Sequence, residues 1–167
     1  MYGELRLFPE SGGEGLARLA AASTHSDAYE VMASGCRLRI PYRIYVDREV
    51  LEAGSPDPVQ VDALLTRHHN GFVRAQALAR LMAATPDWTP AYVVPPVGEY
   101  VVEIIEQIEA ALSEQDASVY GAFVRANSAF MALTKQRATS YWDCYWRARW
   151  RREDYPGARV LALLATF

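Results

Sequence analysis

Apolar residues return at helical spacing along most of this 167-residue chain. The clearest stripe covers residues 99–112. Val101, Ile104, Ile105, Ile108 and Leu112 fall on one face, and Glu99, Glu103, Glu106 and Glu109 on the other, as in an amphipathic helix. Val61, Leu64 and Leu65 repeat the pattern behind Asp57-Pro58, a side-chain cap followed by proline at the first helical position. That helix is expected to stop near His69, where Asn70-Gly71 tolerates a left-handed corner. Phe72, Val73, Ala77, Leu78 and Leu81 then form the stripe of the next helix. Shorter helices are predicted over 14–22, over 28–34 with Ser26 or Asp27 as cap and Gly35 as stop, and over 47–53. Thr85-Pro86-Asp87 predicts another capped start, with a short helix over 88–94 that meets extended backbone at Pro95-Pro96. Asp116 caps a long helix carrying Val119, Phe123, Phe130, Met131 and Leu133 toward Arg152. Pro156-Gly157 breaks it before a last apolar helix over 158–167.

One stretch changes period. From 37 to 46, Leu38, Ile40, Tyr42, Ile44 and Val46 alternate with Arg37, Arg39, Pro41, Arg43 and Tyr45, the two-residue repeat of extended chain. Pro41 removes an amide donor, which leaves an edge strand or a strap laid over helices. No partner strand is evident, so a strap is expected, with its three arginines outward. Residues 1–13, rich in Gly, Pro and Ser, are expected to be loosely ordered. The fold class follows: all-α, one compact helical domain over 1–167 with a short extended segment around 37–46.

The totals narrow this picture. Hydrophobic content of 51% with 22% charged residues excludes a disordered chain. No apolar run approaches the roughly 20 residues that a bilayer needs, and the first residues lack a basic region followed by an apolar one, so neither membrane span nor signal peptide is expected. Cys36 and Cys144 lie far apart and read as free thiols, which points to a cytoplasmic protein. The net charge of −3 hides a division. Residues 135–152 hold six basic side chains against Asp143 alone, a local +5 that leaves −8 elsewhere. Segregation of this kind marks a surface with a preferred partner.

The corner His68-His69-Asn70-Gly71-Phe72-Val73-Arg74, with the Ala/Leu-rich run after it, resembles the turn and second helix of a HEAT-type repeat. Asn70, Gly71, Val73, Arg74, Ala77, Leu78 and Leu81 carry the likeness. Phe123-Val124-Arg125-Ala126 echoes Phe72-Val73-Arg74-Ala75, and residues 98–112 repeat the layout without the Val-Arg pair. The resemblance implies antiparallel helical hairpins and a face that recruits a protein or peptide.

Candidate chemistry is sparse. Neighbouring histidines on a helix point about 100° apart, so His68 and His69 share a site only where the helix has ended. Glu99 or Glu103 could complete a polar site with them. The plainer role is a helix end capped by one imidazole while the other packs. No metal-ligand spacing occurs, no cofactor is implied, and Gly12-Gly13-Glu14-Gly15 lacks the lysine and the preceding strand of a phosphate loop. Cys144 has no hydrolase signature around it and reads as a structural thiol among aromatics. The segment 141–155 is the most unusual in composition. Trp142, Trp146 and Trp150 recur every four residues, with Arg147, Arg149, Arg151 and Arg152 between and beyond them. The tryptophans are expected to be a packing seam, and the arginines with Trp150 a binding surface.

These features point first to a non-enzymatic adaptor or regulatory protein that holds a protein partner or a second copy of itself. Nucleic-acid binding comes next, through Arg37, Arg39 and Arg43 with the arginines of 147–152, against the acidic total. An enzyme using His68 or His69 with Glu99 or Glu103 comes third.

Overall fold

The computed structural model describes residues 4–10, 13–25 and 27–167. The chain, expected as one domain, groups into two compact units, Met1–Tyr92 and Val93–Phe167. Helices dominate both, and none among the described residues is long and apolar enough to cross a membrane.

In the first unit, α1 (Glu14–Ser23) precedes a hairpin of β1 (Ala28–Ala33) and β2 (Cys36–Pro41), followed by α2 (Arg48–Gly54), α3 (Pro58–Leu65) and α4 (Gly71–Ala84). A short α5 (Pro90–Val93) falls at the boundary between the units. The hairpin corrects two expectations, the helix over 28–34 and the unpaired strap. Alternate residues Tyr29, Val31 and Ala33 are buried, and they lie opposite Ile40, Leu38 and Cys36 in the antiparallel register. Ala, Glu and Met favour helix locally, but a two-residue period decides which face is buried, and burial outweighs propensity. Ser34 and Gly35 both take positive φ, 48° and 74°, as a two-residue hairpin turn requires. Pro41 ends the strand, where no ladder donor is lost.

Within residues 4–10 the chain is tied to the core at its middle. Leu7 and Phe8 are buried, the Arg39 amide donates to the Arg6 carbonyl at 2.8 Å, and Phe8 packs on Trp88 and Tyr92. Loose order was expected there because polar and turn residues surround one short apolar pair. The remaining residues of 1–13, apart from Gly13, and the Ser26 cap lie outside the described residues.

Asp57 caps α3 as predicted, accepting from the Val59 amide at 2.9 Å. The corner after it differs from expectation. The helix ends at Leu65, and Asn70 is extended, not left-handed. Its side chain accepts from the Phe72 amide and caps α4. Thr85 does not start a helix either; it closes α4 at φ 47°. Asn and Thr hydroxyl or amide groups serve either end of a helix, and tertiary context chooses. Helices α1 and α2 meet where Gly15 faces Gly54: a Cβ on Gly15 would sit 2.5 Å from the Gly54 carbonyl oxygen. Asp62 on α3 ties its neighbours. It accepts from Arg48 of α2 at 2.7 Å and from Arg80 Nε of α4 at 2.9 Å.

The second unit begins with a 3-10 turn at Pro95–Gly98 and continues through α6 (Val102–Leu112), α7 (Ala117–Ala126), α8 (Ser128–Tyr141), a π-helical turn at Trp142–Trp146, and α9 (Pro156–Leu164). Proline φ suits a 3-10 turn as well as extended chain, which is why the expected extended backbone at Pro95-Pro96 is absent. In α6 the buried face is Val102, Ile104, Ile105, Ile108 and Leu112, with Val101 displaced to the cap position. The long helix expected from Asp116 is broken at Asn127, whose backbone leaves helical geometry (φ −128°, ψ 42°). Its side-chain amide donates to the Phe123 carbonyl at 2.8 Å, replacing a backbone bond that the break removes. Arg159 of α9 grips Glu109 of α6 through two bonds of 2.6 and 2.7 Å, a fork-on-carboxylate contact. The same hydrogen bond to Glu109 raises the Arg159 pKa above its ordinary value.

Candidate interaction surface

The arginine-rich segment of the second unit starts where α8 ends. At Trp142–Trp146 the helix widens by one residue per turn, so the Arg147 amide reaches the Trp142 carbonyl at 2.8 Å. A widened turn shifts every later side chain off the four-residue register. The tryptophans therefore do not form a straight seam. Trp142 Nε1 donates to the Trp150 carbonyl at 3.0 Å, Trp146 and Trp150 rings lie 5.4 Å apart, and Trp150 lies 6.0 Å from Tyr155. Each tryptophan is half-buried, folded on the others.

That inward folding leaves other groups outside. Tyr145 is 65% exposed and Tyr100 is 55% exposed. Half-buried Tyr141 joins them in a row, 6.0 Å from Tyr100 and stacked 6.1 Å from Tyr145. Arg147, Arg149, Arg151 and Arg152 are exposed. Arg147 reaches Asp143 at 3.4 Å, an exposed pair of little energy. The Arg149 guanidinium lies 4.2 Å over the Trp150 ring, a cation–π contact. Tyr100 escaped the sequence reading because it sits far along the chain, between two helices.

The other arginines expected to bind, Arg37, Arg39 and Arg43, belong to the first unit. Arg37 and Arg39 both approach Glu30, at 3.7 and 2.9 Å, and Arg43 donates to the Tyr42 carbonyl at 2.7 Å. Arg37 and Arg39 thus share a local acidic partner on the paired strand, which the strap picture did not provide.

His68 and His69 are also in the first unit, whereas Glu99 and Glu103 are in the second, half-buried and exposed respectively. The helix has ended before the histidines. Ile44 donates to the Arg67 carbonyl and accepts from the His69 amide, both at 3.0 Å, so the segment runs as extended chain beside Ile44. Arg74, buried on α4, donates to the carbonyls of His68 and His69 at 3.0 Å each. The two rings lie 4.3 Å apart. Beyond them Tyr45 stacks on His69 at 4.9 Å, and the His25 ring lies tilted 5.6 Å from Tyr45. All three histidines of the chain therefore stand in one ladder, which sequence spacing could not reveal. Among the described residues, no group of three or more His, Cys, Asp or Glu is placed to hold a metal ion.

His68 titrates with a definite sign. Burial first, and then its neighbour His69, hold its pKa below the ordinary value, and Nδ1 accepts from the Asn70 amide at 3.1 Å. Asp47 opposes the shift and Arg74 reinforces it. The unfolded chain then takes up a proton before the folded one does. Stability is fully present above about pH 6.5 and falls as the solution is acidified through the window beneath it. His68→Asn, which keeps an acceptor for Asn70, is expected to flatten the denaturation midpoint against pH below about pH 6.5. An unchanged slope would assign that dependence elsewhere.

Cavities open in both units. One of about 910 Å³ lies in the first unit, with Leu5, Ala17 and Pro41 in its wall and Glu4, Arg18 and Arg39 mixed among them. Its opposed charges converge on no single ligand chemistry. Another, of about 370 Å³, lies in the second unit among α7, α8 and α9. Cys36 and Cys144 are free thiols. Compared with family models, with curated proteins and with solved structures, the chain finds no match.

Proposed function

We propose that this protein is a non-enzymatic binding module whose second unit docks an acidic segment of a partner protein. The observation that carries this reading is the row in which half-buried Tyr141 joins exposed Tyr100 and Tyr145, followed in the chain by Arg147, Arg149, Arg151 and Arg152. Tyrosine and arginine are the residues most enriched where binding energy concentrates. Rings fixed against one another lose little entropy on docking, and Arg149 is held in place by Trp150. Nine acidic and eight basic residues in 93–167 leave this unit nearly neutral, without the overall positive field of a nucleic-acid binder. In this reading α3 and α4 form a HEAT-like hairpin that scaffolds the first unit, and the two free thiols fit a cytoplasmic setting.

A photoreactive phenylalanine analogue at Tyr145 is expected to crosslink to a protein carrying an acidic segment, while the same analogue at Phe72 is not. With that partner purified, reversing Arg147, Arg149 and Arg151 to glutamate should weaken the complex at least about tenfold, with a slower association rate. Crosslinking to nucleic acid alone, or an affinity indifferent to the reversal, would overturn the reading.

A further inference from the structure

The corner between α3 and α4 closes on a single protonation state of His68. The Asn70 amide donates to His68 Nδ1 at 3.1 Å. An amide hydrogen can only be donated, so Nδ1 must present its lone pair. A histidine cation carries a hydrogen on both ring nitrogens and cannot hold this bond. Other ties depend on the same few residues. The Asn70 side chain accepts from the Phe72 amide and starts α4. The His69 amide donates to the Ile44 carbonyl, and Arg74 holds the carbonyls of His68 and His69. A proton on Nδ1 therefore unseats the residue that caps the next helix.

The surrounding charges act mostly in the same direction. The His68 and His69 rings are 4.3 Å apart, so a proton on one opposes a proton on the other. Arg74, buried on α4, also opposes a charge on His68, whereas Asp47 at the start of α2 favours it. Tyr45 and then His25 close the outer end of the ladder. The corner is also free to move by itself. Leu64 and Leu65 before it and Ala77 and Leu78 after it are buried, while His69, Asn70 and Phe72 between them are exposed. From the Nδ1 bond, the paired rings and this exposed segment between two anchored helices, we propose that residues 68–73 form a pH-operated latch. In weakly acidic solution the corner lets go of the Ile44 carbonyl and the first turn of α4 unwinds, while α3 and the rest of α4 stay folded. The open corner takes up the proton that the closed one refuses. The latch is thus shut above about pH 6.5, and below it the closed-to-open ratio falls by up to about tenfold per pH unit.

Amide hydrogen exchange on the full chain, followed by NMR and referred to an unstructured chain at the same pH, tests this. From about pH 7.5 to about pH 5.5, protection at His69, Asn70 and Phe72 is expected to fall at least about threefold. Protection at Leu64, Leu78 and Leu81 should hold over the same range. His68→Asn supplies an acceptor that takes up no proton, and should abolish the fall. His69→Gln removes the opposing ring and should move the midpoint of the fall to higher pH. Constant protection at the corner, an equal loss at Leu78 and Leu81, a fall that persists in His68→Asn, or a midpoint that fails to rise in His69→Gln would overturn the proposal. The wild-type profile is decisive even where a variant folds poorly, because it alone separates opening of the corner from unfolding of the unit.

Discussion

Tyr92→Ala is expected to destabilise the first unit by about 3–5 kcal/mol, the usual cost of removing a fully buried aromatic side chain. Tyr92 is 0% exposed. Its ring packs on Phe8 at 5.8 Å and on Trp88 at 5.8 Å, and its hydroxyl donates to the Leu7 carbonyl at 2.6 Å. One side chain thus fastens the start of the chain to the end of its unit. Burial pushes the phenol well above its ordinary value, so it stays a donor wherever the fold survives. Tyr92→Phe isolates the hydrogen bond. The ring still packs, but the Leu7 carbonyl loses its donor, and the expected loss is about 1–3 kcal/mol. Urea denaturation of the two variants measures both. Were residues 4–10 hanging free, Tyr92→Phe would be neutral within error, and that result would sink this account of the N-terminal segment.

Asp62→Ala should cost about 2–3 kcal/mol. The Asp62 side chain is 9% exposed and stands between Arg48 and Arg80, which are 33% and 46% exposed. Breaking a wholly buried pair costs about 3–5 kcal/mol, because the remaining charge is stranded without water. Here both arginines can turn to solvent, so the loss is smaller. What disappears is a set of charge-assisted bonds joining α2, α3 and α4. Asp62→Asn keeps the shape without the charge and should fall between the alanine variant and wild type. A double-mutant cycle with Arg80→Ala should return a coupling of about 1 kcal/mol or more. A value within error of zero would show that the carboxylate acts alone, as a surface charge does.

Neither residue stood out in the sequence, and the reason is the same for both. Asp62 looks like one more acid on a helix, and Tyr92 like one aromatic in a proline-bounded turn. Each matters because residues 18 and 85 positions away come back to meet it, and long-range return is not written in local pattern. The binding surface divides similarly. The arginines of 147–152 were legible as a charge run, but the widened turn that folds the tryptophans inward and leaves Tyr145 outside depends on packing.

Local chemistry alone determined the helices that carry their own signals. Asp57 and Asp116 cap where they were expected to, and the α6 stripe buries the isoleucines that its spacing marked, because a 3.6-residue period and a side-chain cap act within one or two turns. Segments with two local solutions were decided elsewhere. Residues 28–33 became a strand because Leu38 and Ile40 stood opposite to share a buried face. Asn70 capped the following helix instead of turning left-handed. Asn127 broke a helix that propensity would have continued. In each case the free-energy difference between local conformers is on the order of 1 kcal/mol, and burying a few apolar side chains against the rest of the unit exceeds it.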